Sequence, residues 1–415
     1  MKNCFCFPIV IILLLVHGLL AQLSGEIQLV ESVPVETRLG ISETARTQGV
    51  WTEMIHSASR TLDMAMFYLS HKPGEALEPV VEAIRQAAER GVRVRLLADA
   101  RMSRIYPETL NALGQEPNIS VRLIDYYNRS GGVMHAKYFV VDSQEVFIGS
   151  QNMDWRALRH IHELGARLRS RKLARLVLRV FEVDWQIAGS DSSAPLVKIS
   201  DMPDSVRFDA EHPLLIHAPD GESLFVYLTA SPPATTPSSI PADESELIRL
   251  IDSAQQQVEI QLLTYKSLSH HSFYQKLDNA LRRAAARGVL IRMIVSNWNT
   301  RSPGIESLKS LQVFPNIEIK ISSIPEWSGG FIPFARVEHC KYMVVDTQRV
   351  WLGTSNWSYS YFHTSRNLAL VMSGKWSARL VHRIFRKSWN SPYCQPLDVC
   401  KQYIPPGVSG KEKGS

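Results

Sequence analysis

Residues 134–142 read Met-His-Ala-Lys-Tyr-Phe-Val-Val-Asp, and residues 338–346 read Glu-His-Cys-Lys-Tyr-Met-Val-Val-Asp. Both stretches have the form His-x-Lys-x-x-x-x-Asp. A lone histidine in an apolar stretch is usually a core residue, but the same lysine and aspartate offsets in both copies are not a coincidence. The sequence therefore predicts a single site for phosphodiester chemistry, formed by two imidazoles and two ammonium groups. These belong to His135, Lys137, His339 and Lys341.

The similarity of the two halves extends beyond this motif. Each half has an apolar strand followed by an amphipathic helix, and each helix ends in Arg-Gly-Val, at residues 90–92 and 287–289. Glycine just after the last helical residue is the expected C-cap. Strands that alternate with helices indicate an α/β fold. We therefore expect two tandem α/β repeats, each a mixed sheet flanked by helices, packed as a pseudo-two-fold dimer with one shared active site.

The chain divides into four predicted regions. Residues 1–24 form a signal peptide, because the apolar run from 5 to 20 is short for a bilayer span of ~20 residues; a signal anchor is the alternative. Residues 25–200 form the N-terminal repeat, residues 201–403 the C-terminal repeat, and residues 404–415 a flexible tail. Either targeting signal sends the chain into the secretory pathway, to be secreted or held in the lysosomal lumen.

The composition is that of an ordinary globular protein. Hydrophobic residues make up 45% of the 415 residues and charged residues 21%, which excludes a mainly disordered or fibrous chain. The net charge of +6 fits a polyanionic partner, although a basic excess is often only a solvated surface. In an oxidising compartment Cys394 and Cys400 could form a disulfide, which leaves Cys340 as a buried structural thiol. Asn118 and Asn128 lie in N-x-[ST] sequons and are candidate glycan sites.

Strand geometry separates the motif residues by role. Residues two apart in a strand lie on the same face, so each histidine and the lysine that follows it point the same way. Asp142 and Asp346 lie an odd number of positions from their histidines and would face away. We therefore predict that each aspartate is structural, ending its strand and holding the turn that follows. Contact between these carboxylates and the substrate is the alternative.

A small polar cluster follows each motif at the same distance. Residues 149–152 read Gly-Ser-Gln-Asn, and residues 353–356 read Gly-Thr-Ser-Asn. A glycine followed by hydroxyl and amide groups suits the close approach of a phosphate oxygen, and the equal spacing in both halves favours this over a simple strand-end turn. The predicted phosphate-binding residues are Ser150, Asn152, Thr354 and Asn356.

Glu163 and Asn367 occupy matching positions downstream of the two histidines. A catalytic imidazole needs a partner on its second ring nitrogen to fix its tautomer and orientation, and these two residues are the candidates. The lysines and amides would neutralise the phosphate oxygens, while one imidazole attacks phosphorus and the other protonates the leaving oxygen. This predicts a covalent phosphohistidine. No group of His, Cys and Asp has zinc-site spacing, so we expect no metal and no cofactor.

With these motifs in both halves, the chain resembles the phospholipase D superfamily. It is most similar to the branch of luminal animal proteins that includes the lysosomal 5′-exonucleases of single-stranded nucleic acid. This second likeness depends on the phrases Asn-Met-Asp-Trp-Arg at 152–156 and Ser-Asn-Trp-Ser at 355–358. The resemblance implies that His135 is the nucleophile and that His339 is the general acid.

The resemblance further implies that the orienting groups cross between the halves, so that Glu163 serves His339 and Asn367 serves His135. The superfamily commonly has a carboxylate where this chain has Asn367. The chain therefore departs from the family pattern in the group that orients His135. Asn356 matches the phosphate-binding asparagine of the family. We therefore expect no glycan at Asn356, although it lies in a sequon.

Three functions are compatible with these residues. The branch resemblance and the basic charge favour a nuclease acting on single-stranded DNA or RNA, since single strands stack on aromatic rings beside basic groups. A phospholipase D or transphosphatidylase acting on phospholipid is the alternative, with the apolar segment 329–334 as its rim. The intact motifs argue against a non-catalytic family member, and a homodimer is left open. The aromatic candidates are Tyr126, Tyr127, Trp155, Trp357, Tyr359 and Tyr361, although the core is the better assignment for the two tryptophans.

Overall fold

The computed structural model describes residues 25–190, 207–269 and 272–407. The predicted signal segment and the predicted boundary between the repeats at residue 200 lie outside the described residues. So does most of the predicted tail, from residue 408 onward. Within the described ranges, none of the helices combines the length and the hydropathy needed to cross a membrane.

Strands and helices alternate along the first half. The strands are β1 Gly25–Ser32, β2 Ala45–Arg46, β3 Thr61–Met66, β4 Leu69–Ser70, β5 Arg93–Asp99, β6 Ile119–Ile124, β7 Tyr138–Val141, β8 Glu145–Gly149, β9 Met153–Asp154 and β10 Glu163–Arg169. The helices are α1 Thr47–His56, α2 Glu78–Glu89, α3 Ala100–Ile105, α4 Glu108–Leu113, α5 Tyr126–Ser130, α6 Trp155–Arg159 and α7 Arg171–Gly189.

The second half repeats this pattern. Its strands are β11 Leu214–His217, β12 Ser223–Ser231, β13 Gln257–Leu262, β14 Leu268–Ser269, β15 Ser272–Phe273, β16 Leu290–Ser296, β17 Ile317–Ser322, β18 Tyr342–Val345, β19 Arg349–Gly353, β20 Asn367–Ser373 and β21 Cys394–Pro396. Its α-helices are α8 Asp243–Asp252, α9 Lys276–Ala286, α10 Gly304–Gln312, α11 Tyr359–His363 and α12 Lys375–Trp389, and short 3₁₀ helices occupy Pro233–Thr235 and Asn297–Thr300.

The two halves have the same mixed sheet. In the first half β3, β5 and β6 are parallel, and β3 continues antiparallel through β7, β8 and β10 to β1. In the second half β13, β16 and β17 are parallel, and β13 continues through β18, β19 and β20 to β12. Strand β11 pairs with both β1 and β12, which joins the halves in one sheet. The prediction of two tandem α/β repeats with mixed sheets and flanking helices is confirmed.

The repeated Arg-Gly-Val phrases end matching helices. Gly91 follows α2 with a φ of 87°, and Gly288 follows α9 with a φ of 91°. This left-handed region is costly for a residue with a Cβ, which explains why both positions are glycine. Each helix then turns directly into the next parallel strand, β5 or β16.

A shared hydrophobic cluster lies between the halves and holds the two motif strands together. It contains Tyr138 and Val140 of β7 together with Tyr342 and Val344 of β18, all buried. Side chains of α7 and α12 belong to the same cluster. Each half also has a cluster of its own around its parallel strands. The motif strands are therefore packed against each other through a common core.

The three described cysteines are all free thiols. Cys394 is buried in β21 and Cys400 is exposed, so the disulfide suggested between them is not formed. Cys340 is fully buried, which agrees with its assignment as a structural thiol.

Candidate active site

Each motif histidine lies in a segment without regular secondary structure that precedes its strand, not within the strand as the prediction from strand parity assumed. β7 and β18 begin only after the motif lysine. The peptide groups of these segments bond to the opposite half instead. The N–H of His135 donates to the carbonyl of Arg366 at 2.9 Å, and the N–H of His339 donates to the carbonyl of His162 at 2.9 Å. Each half therefore fixes the backbone of the other half's histidine.

The side-chain partners of the histidines also cross between the halves. Nδ1 of His135 lies 3.0 Å from Oδ1 of Asn367, and Nδ1 of His339 lies 2.7 Å from Oε2 of Glu163. These are the two crossed pairs that the family resemblance implied. All four side chains are buried. The structure thus brings both histidines into one site with an amide on one imidazole and a carboxyl group on the other.

The amide of Asn367 sets the tautomer of His135. Its Nδ2 donates to the carbonyl of Tyr361 at 2.7 Å, so Oδ1 faces the imidazole and accepts a hydrogen bond from Nδ1–H. Burial, followed by the charges of Lys137 and Lys341, lowers the pKa of His135 well below its ordinary value. His135 is therefore a neutral imidazole with a free lone pair on Nε2, the form that a nucleophile requires.

The Glu163–His339 pair carries one more proton than the Asn367–His135 pair. Burial is the main reason that the pKa of Glu163 rises to about 8, against the opposing effect of Lys341. At neutral pH one proton therefore lies in the hydrogen bond between Glu163 and Nδ1 of His339, and a second remains on Nε2. His339 can donate this second proton, as a general acid must.

The two motif lysines supply the positive charge of the site. Each ammonium donates to the carbonyl oxygen of its own histidine, and both side chains are fully buried. Burial and the charge of Lys341 lower the pKa of Lys137, and burial lowers the pKa of Lys341 to about 7. A bound phosphodiester anion would offset both charges, so the site is suited to an anionic group.

Ser150 and Thr354 differ from their predicted phosphate-binding role. The hydroxyl of Ser150 donates to Glu163 at 2.6 Å and accepts from the backbone N–H of Leu164. The hydroxyl of Thr354 donates to Asn367 at 2.9 Å and accepts from the N–H of Leu368. Because these hydrogen bonds occupy each hydroxyl proton, the two residues support the orienting groups instead of the phosphate.

Asn152 and Asn356 keep unused hydrogen-bonding capacity. Both side chains are buried, and in the described part of the chain neither Oδ1 atom has a hydrogen-bond partner. The unpaired atom is an acceptor, whereas a phosphate oxygen needs the Nδ2–H donor of the amide, so phosphate binding by the two asparagines stays a prediction. Asn356 is only 1% exposed, a poor position for a glycan.

Asp142 and Asp346 lie where they stabilise the fold, but their hydrogen-bond partners differ from the predicted ones. The carboxylate of Asp142 accepts from the backbone N–H groups of residues 59, 60 and 61, just before and at the start of β3. Asp346 accepts in the same way from residues 255, 256 and 257, just before and at the start of β13. Each aspartate therefore ties the end of its motif strand to the preceding central strand, not to the turn that follows.

Sequence reasoning missed a buried acid–base cluster beside the site. Nδ1 of His162 lies 2.8 Å from Glu338, and Nε2 lies 2.9 Å from Glu31. Cys340 is also close enough for the group to be considered as metal ligands. Both ring nitrogens of His162 are already bonded to carboxyl groups, so the imidazole has no free lone pair for a metal. The only sequence signal was the position of these residues next to Glu163 and the motif.

A second missed cluster joins the halves behind His135. The guanidinium of Arg366 bonds Asp184 of α7 at 2.9 Å, and neither side chain has exposed surface. Tyr126 donates to the same carboxylate at 2.7 Å. The sequence offered no signal for this pairing, since its members are far apart in the chain.

The predicted aromatic platforms divide by burial. Tyr126 and Trp357 are buried in the core, whereas Tyr127 and Tyr359 are about half exposed, at 48% and 47%. Tyr361 lies against the catalytic centre, with its ring centroid 4.8 Å from that of His135. Phe67, which the sequence did not single out, packs against the same imidazole, with its ring centroid 5.1 Å from that of His135. The remaining candidate, Trp155, is half-buried beside a lysine.

Comparison with known proteins adds a family and several relatives. The family model described as "Cardiolipin synthase, PLD-like domain" matches residues 51–185 and 247–389. The chain is 31% identical over 407 residues to the bovine (Bos taurus) 5′-3′ exonuclease PLD3, covering 91% of this chain and 82% of that protein. It is 30% identical to Phospholipase D Z of Dictyostelium discoideum, covering 90% and 92% of the two chains.

A solved structure supports the fold independently. Phosphatidylserine synthase of Haemophilus influenzae superimposes with a TM-score of 0.59 over 89% of this chain and 87% of that chain, at 13% sequence identity. At this identity the match concerns the architecture alone.

Proposed function

The chain belongs to the family of phospholipase D-like phosphodiesterases, and on this basis we propose that it is an exonuclease of single-stranded DNA or RNA. Phosphodiester chemistry is supported above all by the different partners of the two histidines. Asn367 is hydrogen-bonded to His135, whereas Glu163 is hydrogen-bonded to His339. The nucleic-acid substrate is supported by the relatives named 5′-3′ exonuclease, which match about nine-tenths of the chain. Their name also supports digestion from the 5′ end.

In the proposed reaction Nε2 of His135 attacks phosphorus and forms a P–N bond, while the P–O bond to the leaving group breaks. His339 donates its Nε2 proton to the leaving oxygen. Water then attacks phosphorus, His339 takes a proton from that water, and the P–N bond breaks with its electron pair returning to His135. Lys137 and Lys341 stabilise the charge on the non-bridging oxygens in both steps.

Phospholipid hydrolysis is the second candidate, because two relatives of Dictyostelium discoideum are named phospholipase D. The apolar segment 329–334 gives this reading limited support. Phe334 is 43% exposed, but Ile332 is buried. An enzyme that draws its substrate from a bilayer needs a continuous apolar surface, and the exposed pair Pro333 and Phe334 is too small to provide one.

A paired assay tests the proposal. Wild type and His135→Ala are incubated with a single-stranded oligonucleotide labelled at either end, and separately with phosphatidylcholine, at pH 5 and pH 7. Nucleotide release that the variant loses supports the nuclease, and the labelled end gives the direction. Choline release without nucleotide release would replace the first reading with the second. A folded wild type that releases neither product would contradict both.

We further propose that the protein acts in the secretory pathway, either secreted or in the lysosomal lumen, with a membrane signal anchor as the alternative. The apolar N-terminal segment supports this, and Asn118 and Asn128 are exposed in their sequons. Mass spectrometry of the mature N-terminus and glycosidase treatment of the expressed protein would test it. Light scattering would show whether the chain forms a homodimer.

A further inference from the structure

A His-Glu dipeptide of the first half lies opposite a Glu-His dipeptide of the second. His162 and Glu338 form a backbone bridge, and their side chains are 2.8 Å apart. The next residue on each segment forms the contact between Glu163 and His339 at 2.7 Å. Two contacts between the halves therefore alternate along the same pair of segments, one in the active site and the other directly behind it.

A third acid completes the cluster behind the site. Nε2 of His162 lies 2.9 Å from Glu31 of β1, and the side chains of His162, Glu31 and Glu338 have no exposed surface. The second oxygen of Glu31 accepts from Arg46 at 3.3 Å. Burial opposes protonation of His162, but Cys340, Glu338 and Glu31 together raise the pKa of this imidazole well above its ordinary value. His162 is therefore an imidazolium held between two carboxylates.

We propose that His162 is a positioning residue for the reaction: it locks Glu163 onto His339 across the two halves and supplies the positive charge that balances Glu338 behind them. The role in positioning follows from the contacts alone. Its effect on turnover rests on the proposed function.

The charge of this cluster affects how tightly Glu163 and His339 hold their protons. Burial is the main reason that the pKa of Glu163 is raised, and the negative charge of Glu338 raises it further against the opposing effects of Lys341, Ser150 and Lys137. An imidazolium at position 162 offsets that negative charge. Without it, both Glu163 and His339 would hold protons more tightly, because an uncompensated anion favours the protonated form of each neighbour. The charged and titratable groups that face the pair and the cluster are Glu31, Arg46, His135, Lys137, Glu338, Cys340 and Lys341.

The test uses the full chain with His162→Gln, with Glu338→Gln and with both changes together. The control is Tyr126→Phe, which removes a buried 2.7 Å hydrogen bond to Asp184 on the other side of the site and leaves every charge in place. NMR of ¹⁵N-labelled imidazoles gives the pH at which His339 loses its Nε2 proton. The kcat/KM for a single-stranded oligonucleotide is measured over the same pH range.

We expect His162→Gln to move the titration of His339 upward by about one pH unit and Glu338→Gln to move it downward by a similar amount. The double variant should return close to wild type, and Tyr126→Phe should leave the titration in place. The pH profile of kcat/KM should shift in the same directions. If His162→Gln alone does not fold, the double variant is compared with Glu338→Gln, from which it differs only at position 162, and the upward shift between those two decides the question.

The role is overturned if removal of His162 does not move the titration, even when it lowers the melting temperature, because His162 would then be only a structural residue. A wild type that cleaves no oligonucleotide would overturn the proposed function instead. The NMR titration needs no substrate, so it still decides the role of His162 in that case.

Discussion

The substitution Glu163→Gln separates the two histidines by the step that we propose for each. Glutamine keeps the size of the side chain and can accept from Nδ1 of His339 and from Ser150, which lie 2.7 and 2.6 Å from the carboxyl oxygen. It cannot hold the additional proton that burial keeps on Glu163. The pair then matches Asn367–His135, in which Nε2 carries no proton. His339 should therefore lose its ability to protonate the leaving oxygen.

The size of the loss follows from the step that is removed. General acid catalysis contributes roughly 10²–10⁴-fold to a rate. Some of this persists, because Lys137 and Lys341 still stabilise the developing charge. We expect kcat/KM for a single-stranded oligonucleotide to fall by about 10²-fold, which corresponds to about 2.7 kcal/mol of transition-state stabilisation.

The assay compares two leaving groups. An oligonucleotide releases an alkoxide that needs a proton, whereas a p-nitrophenyl phosphodiester releases a stable anion that does not. kcat/KM covers the steps up to formation of the phosphohistidine, so Glu163→Gln should spare the activated substrate. The control Asn367→Ala disturbs the nucleophile and should slow both substrates equally. Equal losses on both substrates in Glu163→Gln would refute the assignment of His339 as the acid.

Other consequences concern stability and metals. Asp142→Ala removes an acceptor for three backbone N–H groups, and we expect urea unfolding to show a loss of about 2–4 kcal/mol, matched by Asp346→Ala; a loss under about 1 kcal/mol would contradict this. Arg366→Ala leaves the buried charge of Asp184 unpaired and should cost about 3–5 kcal/mol by the same measurement, whereas replacing both residues with apolar ones should recover most of it. Folding raises the pKa of Glu163 from 4.5 to about 8, so the free energy of unfolding of the wild type should fall as pH rises through this window, whereas that of Glu163→Gln should not. If the two proteins differ in this free energy by the same amount from pH 5 to pH 8, the expectation is contradicted. A chelator should leave the activity unchanged, and inhibition reversed by a divalent metal would disprove metal independence.

The fold was predictable because the sequence signals that indicate it occur in both halves. The motif, the Arg-Gly-Val helix ends and the alternation of strands with helices all occur twice, so each half supported the interpretation of the other. The positions Glu163 and Asn367 came from the same comparison, and the crossing of their partners came from the family resemblance. A single sequence does not show which side chains are buried, which hydrogen-bonding groups are already paired, or which distant segments are in contact.

The role of Ser150 illustrates what the sequence could not give. A hydroxyl after a strand-end glycine suits a phosphate equally well as a neighbouring carboxyl group, and only the fold shows that Glu163 lies 2.6 Å away. Strand parity was insufficient for a similar reason. It gave Asp142 a structural role by assuming a straight strand through His135, whereas β7 begins only at Tyr138.

The differences between the halves explain how a repeated motif can produce unlike histidines. The motif places the same groups around His135 and His339, so a nucleophile and an acid must be distinguished by residues outside it. The chain differs at the bridges between the halves: Arg366 and Asn367 lie beside His135, whereas His162 and Glu163 lie beside His339. A neutral amide leaves one imidazole with a lone pair, and a buried carboxyl group leaves the other with a proton. The bridges that join the halves are therefore also the place where their chemistry diverges.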